Sequence, residues 1–161
     1  MMEPIKDFAR QLNSNISLDE NLTVRRQNRF FLLNKTLKPL ASKDFFHAGI
    51  YLGKEKDGVF FPSFNLLAMI ADKKANKVTV DEKTEWLFIC GRDVFKRGII
   101  RVIGSMKKGS YTLILNSYGE CLGFGKVLSD LHEAKEGAVV KNILDIGDFL
   151  RREKSSFKTH S

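Results

Sequence analysis

The sequence predicts an α+β protein of two small domains, because helical and strand patterns alternate along the chain and restart after one polar stretch. The chain has 161 residues, which suits one ordinary domain or two small ones. The charged stretch DKKANK, residues 72–77, is the predicted linker. We therefore predict a small α/β domain with a mainly antiparallel sheet over residues 1–75, and a second domain of strands and short helices over residues 76–161.

The first domain is predicted to begin with an amphipathic helix followed by two strands. Ile5, Phe8 and Leu12 recur at helical spacing in PIKDFARQLN. The segments NLTVRR and RFFLLN are short and rich in β-formers, with a polar turn between them. This pattern is typical of a hairpin packed against a helix.

The rest of the first domain continues the same alternation. KTLKPLAS is predicted as a helical turn, and FFHAGIYLGK and VFFPSF as further strands separated by the turn-rich EKDG. Helical spacing returns from Ser63 to Ala71. The predicted inner face of that helix consists of Phe64, Leu67 and Ala71.

The second domain is predicted to open with the strand KVTV and a capped helix from Glu82 to Cys90. Asp81 can accept the free N–H groups of the first helical turn, and Gly91 can take the positive φ of a helix end. The apolar stripe of this helix is predicted from its spacing as Trp86, Leu87 and Cys90. We therefore expect Trp86 to be largely buried.

Strands dominate the remainder of the second domain. DVFKRGIIRV is predicted as one strand, and a hairpin is predicted over residues 112–115 and 121–127. Phe124, between two glycines, is predicted to be a core residue in a strand with close backbone packing. AVVKNIL is the last predicted strand, and Asp145 is the predicted cap of a final helix.

Charge and composition narrow the class of partner. The net charge of +8 and the isoelectric point of about 9.5 favour polyanionic partners, nucleic acid first and an anionic membrane surface second. No apolar run approaches the roughly 20 residues of a membrane span, and the N-terminus has no signal-peptide core, so we expect a cytoplasmic protein. The cysteines and histidines lack ligand spacing, so no metal or cofactor is expected.

Three basic clusters are candidate binding sites. The first lies in CGRDVFKRGIIRV, where Arg92, Lys96 and Arg97 alternate with apolar residues; a strand edge protected by cations would give the same pattern. The second is the basic tail of Arg151, Arg152, Lys154 and Lys158, which suits either a polyanion or the C-terminal dipole of the final helix. The third, in VRRQNR, suits either a binding site or a solvated hairpin tip.

The second domain resembles the PUA domain, the RNA-binding module named for pseudouridine synthases and archaeosine transglycosylases. The resemblance is carried, in order and at matching spacing, by VTVDEKTEWLFICG, GRDVFKRGI, GECLGFGKV and AVVKNILDIGDFLRR. It implies a PUA-type pseudo-barrel with short helices, in which the loop after the first helix lies beside RNA. The archaeal pattern of several cations in the last strand is reduced here to Lys141, with Lys135 close by.

The first domain is similar to the leading domain of the Nip-seven family of ribosome-biogenesis proteins, which pair it with a PUA domain. NRFFLLNKTLKPLA, AGIYLGK and FFPSFNLLAMI carry this likeness. The resemblance implies a non-enzymatic, monomeric assembly factor of the large ribosomal subunit that binds pre-rRNA and other assembly proteins. Its localisation would be cytoplasmic, or nucleolar in a eukaryote. The implied RNA-binding residues are Arg92, Lys96, Arg97, Lys135, Lys141, Arg151 and Arg152.

Two other functions remain open at the level of sequence. An MCT-type translation factor, which binds tRNA or the small ribosomal subunit, has a related domain arrangement. An accessory part of an RNA-modifying enzyme is the other alternative, although the sequence shows no arrangement of nucleophile and base.

Overall fold

The computed structural model describes residues 2–148, 151 and 152, and divides into two compact units, Met1–Lys74 and Ala75–Ser161. The boundary falls inside the predicted linker, but only the first part of that stretch is exposed. Ala75 and Asn76 are buried. The Asn76 side chain accepts a hydrogen bond from the Ser105 N–H at 3.0 Å and donates one to the Tyr111 carbonyl at 3.1 Å. The second half of the predicted linker is therefore a fixed part of the second unit.

The first unit is a four-stranded antiparallel sheet with two helices. Its helices are α1 (Glu3–Gln11) and α2 (Phe64–Ala71), and a 3-10 turn spans Lys38–Ser42. Its strands are β1 (Thr23–Arg26), β2 (Arg29–Leu32), β3 (Ile50–Lys56) and β4 (Val59–Pro62), in the spatial order β1-β2-β3-β4. These bounds confirm the predicted helix, hairpin, helical turn and later strands.

Phenylalanine does much of the packing in the first unit. Phe60 meets Phe8 and Phe30, each at a ring-centroid distance of 5.8 Å. Phe31 packs against Phe45 at 5.5 Å. These tilted and edge-to-face contacts are the favoured geometries for aromatic pairs.

The buried face of α2 differs from the prediction. Ser63 caps the helix by accepting the Leu66 N–H at 3.1 Å, but the buried residues are Leu66, Leu67 and Ile70. The predicted Phe64 and Ala71 are only half-buried. The sequence FNLLAMIA is apolar except for Asn65, so helical spacing alone does not select one face.

The second unit is a six-stranded sheet with the spatial order β6-β10-β9-β8-β5-β7. Neighbouring strands are antiparallel except β5 and β8. The elements are β5 (Lys77–Val80), α3 (Glu82–Ile89), β6 (Val94–Phe95), β7 (Ile99–Ile103), β8 (Tyr111–Leu115), β9 (Cys121–Val127) and β10 (Ala138–Asp145). The α+β class and the predicted hairpin are confirmed.

The buried core of the second unit draws on almost every element. It contains Val78, Val80, Phe88, Val94, Met106, Ile114, Leu122, Val127, Leu131, Val139 and Val140. Phe124 is also buried, as predicted. Its flanking glycines permit close strand approach, since a Cβ on Gly123 would lie 1.9 Å from the Leu144 carbonyl oxygen.

The segment DVFKRGIIRV, predicted as a single strand, is in fact two strands separated by a 3-10 turn at Lys96–Gly98. Gly98 is buried against α3, where a Cβ would lie 1.8 Å from Thr84 Oγ1. The chain turns there because β6 pairs with β10, whereas β7 pairs with β5. Periodicity within the segment does not reveal that its two halves have different partners.

The prediction that Trp86 is buried is wrong. Its side chain is 67% exposed, and Leu87 and Cys90 are exposed as well. The buried residues of α3 are Thr84 and Phe88. The helix turns a small polar residue inward because Gly98 packs closely against Thr84, and this places the tryptophan on the outside.

The end of the second unit also departs from the prediction. Asp145 is the last residue of β10, and its described hydrogen bonds come from the side chains of Asn142 and Arg151 rather than from the first helical turn. The predicted final helix is confirmed where it is described, at residues 147, 148, 151 and 152; its other residues, and Lys154 and Lys158 of the basic tail, lie outside the described residues.

Candidate nucleic-acid interface

A pair of lysines marks the exposed face of the strands at one side of the second unit. Lys126 of β9 and Lys141 of β10 stand directly opposite each other, and Tyr111 of β8 stands opposite Lys126. Both lysines are exposed and Tyr111 is half-buried. Opposite residues of antiparallel strands project to the same face. We call Tyr111, Lys126 and Lys141 the lysine row.

The lysine row opposes the stability of the sheet. Like charges directly opposite each other on neighbouring strands repel, and this repulsion disfavours the fold. Within the described part of the chain, neither lysine forms an ion pair or a side-chain hydrogen bond. The two ammonium groups are therefore available to an anion.

An aromatic ring lies on the neighbouring strand. Phe95 of β6 stands opposite Ala138 of β10 and is 44% exposed. The pairing of β10 shifts next to Ala138, so the adjacent Val139 and Val140 both enter the core and Lys141 points outward again. The guanidinium carbon of Arg97 lies 6.0 Å from the centre of the Phe95 ring. Cations and an exposed ring thus occupy neighbouring strands.

The predicted RNA-binding residues are not equally available for a ligand. Arg92, Arg97, Lys135 and Lys141 are exposed. Lys96 is half-buried, and its ammonium group donates a hydrogen bond to the Leu131 carbonyl. Its backbone N–H also donates to the Gly137 carbonyl at 2.9 Å. Lys96 therefore fastens the loop before β10 to the 3-10 turn.

The position of Arg92 is fixed by the backbone hydrogen bonds that end α3. Gly91 has a φ of 89° and donates its N–H to the Phe88 carbonyl, and the Arg92 N–H donates to the Leu87 carbonyl. This pair of bonds is the Schellman arrangement that ends many helices. The predicted role of Gly91 at the helix end is confirmed.

Arg151 and Arg152 bind groups of their own chain. Arg151 donates to the Ile89 carbonyl at 2.6 Å and to the Asp145 carboxylate at 2.8 Å. That carboxylate is 2% exposed, and its hydrogen bond raises the pKa of the Arg151 guanidinium. Arg152 forms a 2.8 Å ion pair with Asp148, four residues earlier. These contacts favour a structural role for Arg151 and Arg152 over the binding of a polyanion.

Asn142 extends this network through the C-terminal end of α3. Its amide nitrogen donates to the Phe88 carbonyl at 2.9 Å and to Asp145 at 3.1 Å, and its backbone N–H donates to Asp93 at 2.9 Å. Most polar groups of this region therefore bind one another, in contrast to the lysine row, although the buried Asp145 Oδ1 has no hydrogen-bond partner among the described residues.

Lys126, Tyr111 and Phe95 were missed by the sequence reasoning as site residues. The signal for Lys126 was present in the alternation of CLGFGKV, which places it on the exposed side of a strand. Its position opposite Lys141 depends on a pairing between β9 and β10 that the sequence does not specify.

Histidine, cysteine and carboxylate side chains are the groups that could bind a metal or act in catalysis. Among the described residues, no three histidine, cysteine or carboxylate side chains are grouped to hold a metal. Burial raises the pKa of the Cys121 thiol to about 11, so it stays protonated at neutral pH. No helix in the described part of the chain is long and apolar enough to cross a membrane.

The fold of the second unit is of the PUA type. Residues 76–154 match the family model described as the UPF0113 PUA domain. A UPF0113 protein from Archaeoglobus fulgidus is 34% identical over 86 residues, which are 50% of this chain and 48% of that protein. The match thus spans about half the length of the relative.

Solved structures agree with this fold. A conserved PUA domain protein from Thermoplasma acidophilum is similar with a TM-score of 0.59 and 21% identity, covering 95% of each chain. A PUA domain from Aeropyrum pernix has a TM-score of 0.50 and 24% identity, covering 58% of this chain and 56% of that one. The predicted PUA-type pseudo-barrel is confirmed, and PUA domains generally bind RNA.

Proposed function

We propose that this protein is a non-enzymatic assembly factor of the large ribosomal subunit that holds pre-rRNA with its PUA domain. In this proposal the first unit binds other assembly proteins, as the Nip-seven resemblance implies. The protein acts as a monomer in the cytoplasm, or in the nucleolus if its source is a eukaryote. It needs no cofactor.

The lysine row is the observation that carries RNA binding. Two unpaired lysines stand opposite each other although this arrangement disfavours folding, and an RNA backbone would relieve their repulsion. Phe95 on the neighbouring strand can stack on an unpaired base, and Arg97 can add a cation beside it. Both features favour single-stranded RNA, whose phosphates and bases are accessible together.

Salt-dependent RNA binding tests this assignment. The Lys126→Gln/Lys141→Gln double variant should bind a short single-stranded RNA more weakly than the parent. The slope of log affinity against log salt should flatten by roughly 1.4, since each phosphate contact with a single strand contributes about 0.7. Anisotropy titrations at several salt concentrations measure both effects.

The matched control is Lys73→Gln/Lys74→Gln, which removes the same charge from two exposed positions of the first unit. It should leave the slope nearly unchanged. Equal losses in the two double variants would mean that net charge, rather than the lysine row, provides the affinity. Melting curves confirm that both variants are folded.

Ribosomal context separates the proposed role from the alternatives. Co-sedimentation with precursors of the large subunit supports the assembly role. Co-sedimentation with the small subunit would favour an MCT-type translation factor instead. Conversion of RNA by the purified protein would show that it is an enzyme.

A further inference from the structure

The first unit carries a second group of cations, arranged by strand register. Arg26 of β1 stands opposite Arg29 of β2, and Arg29 stands opposite Lys54 of β3. Three cations therefore follow one another across three strands on one face of the sheet. Their mutual repulsion disfavours the fold, as it does in the lysine row.

Arg26 serves the structure of the unit. Its guanidinium donates to the carbonyls of Ala41 and Lys43 and lies 5.0 Å from the centre of the Phe45 ring. These contacts fix the segment that follows the 3-10 turn against the sheet. Arg26 is therefore a positioning residue for that segment.

The half-buried Arg29 lies beside the exposed ring of Phe46. The guanidinium carbon of Arg29 lies 4.8 Å from the centre of the Phe46 ring, and the ring is 81% exposed. In the described residues, Arg29 and Lys54 have no ion-pair partner. A cation and a wide aromatic surface are thus presented side by side.

A cleft of about 530 Å³ is formed at this position. Its lining residues are Arg26, Gln27, Arg29, Asp44, Phe45 and Phe46. Gln27 lies in the left-handed region with a φ of 53°, a conformation that costs energy for a residue other than glycine. The lining contains two arginines and one carboxylate, Asp44, so its charge favours an anion.

We propose that this cleft binds a nucleotide of single-stranded RNA, with a base against Phe46 and its phosphates near Arg29 and Lys54. The inference rests on the proposed RNA binding of the protein and adds a second contact surface outside the PUA domain. A planar base matches the exposed face of Phe46, and the adjacent guanidinium matches a phosphate. An acidic peptide would use the cations but would leave the exposed ring without a planar partner.

Separate variants test the aromatic ring and the cations. Phe46→Leu removes the aromatic face and should weaken binding of a short single-stranded RNA by about 5-fold or more, because stacking of one base on an aromatic ring contributes at least that factor. Phe46→Tyr keeps the face and should bind like the parent. Arg29→Gln/Lys54→Gln should flatten the salt slope by roughly 1.4. The charge-matched control is Lys73→Gln/Lys74→Gln.

The outcomes separate this proposal from the one on the PUA domain. If the parent binds RNA and only the variants of the lysine row weaken it, the cleft proposal is overturned while the proposed function stands. Absence of RNA binding by the parent protein overturns both. Ultraviolet crosslinking of the RNA to Phe46 supports the cleft. The proposal is also overturned if binding of a poly-glutamate peptide requires Arg29 and Phe46 while binding of RNA does not. That result would assign the cleft to an acidic protein partner.

Discussion

Two basic groups in the second unit have the same charge and opposite relations to the rest of the molecule. Arg151 and Arg152 are bound by carboxylates of their own chain. Lys126 and Lys141 stand opposite each other on neighbouring strands and repel. The difference shows that the sequence gives the charge of a side chain but not whether that charge is free to bind a ligand. The latter depends on which groups the fold places beside it.

This comparison changes the ranking of the predicted RNA-binding residues. Arg151 and Lys96 already donate hydrogen bonds to protein groups, so their first effect is on stability. Lys141 and its neighbour Lys126 carry the stronger case for RNA. The following predictions test the contrast through stability, from the largest effect to the smallest.

A large effect, comparable to that expected at Gly98, is expected at Arg151. Arg151→Ala leaves the buried Asp145 carboxylate with Asn142 as its remaining described partner. Hydrogen bonds to charged groups contribute about 1.5–3 kcal/mol, and the partial exposure of the arginine places the expected loss near 2 kcal/mol. Urea denaturation measures the free energy of unfolding.

Arg152→Ala is the matched control for this variant. Its ion pair with Asp148 is exposed, and such pairs contribute at most about 1 kcal/mol. Equal losses for the two arginines would contradict the structural role given to Arg151. A large loss of RNA affinity in a folded Arg151→Ala protein would show that Arg151 contributes to RNA binding.

Gly98 controls the turn that carries Lys96 and Arg97. Gly98→Ala should destabilise the protein by about 1–3 kcal/mol, because its Cβ would overlap Thr84 Oγ1. Adding Thr84→Ala removes the closest atom and should recover part of the loss. The coupling between the two substitutions is read from a double-mutant cycle. Independent, additive effects would show that the contact between Gly98 and Thr84 does not limit packing.

Much of the fold could be predicted from the sequence because local rules act on it directly. Asp81 caps α3 as predicted, accepting the N–H three residues later, and Ser63 caps α2 in the same way. Gly91 ends α3 with positive φ. These features depend on a few neighbouring residues, so a short window of sequence contains the information.

The predictions that were wrong depend on distant partners. Trp86 lies outside because Gly98, 12 residues further along the chain, packs on the opposite side of α3 at Thr84. The strand over residues 93–102 is broken because its halves join different neighbours. The same limit applies to the site, since Lys126 meets Lys141 only through the pairing of β9 and β10.

A smaller effect is expected at Lys96. Lys96→Met keeps much of the aliphatic chain but removes the hydrogen bond to the Leu131 carbonyl. The loss should be about 1.5 kcal/mol, the low end for a hydrogen bond of a charged group, because Lys96 is half-buried and its partner is a neutral carbonyl. Thermal melting measures it, with Arg97→Met as the exposed control. If the Lys96 variant keeps the stability of the parent but binds RNA more weakly, the ammonium group contributes to RNA binding rather than to stability.

The smallest effect, and the one opposite in sign, is expected at Lys141. Lys141→Gln removes the repulsion with Lys126, so the melting temperature should rise slightly at low salt while RNA affinity falls. The gain should disappear at high salt, because mobile ions screen charges on an exposed strand surface. Lys126→Gln should behave in the same way, and the double variant should gain little more, since the first substitution already removes the repulsion. Melting curves at low and high salt, with and without RNA, measure these effects. A Lys141→Gln protein that is less stable at low salt would show that the lysine pair stabilises the sheet, and the stability argument for its role in RNA binding would fail.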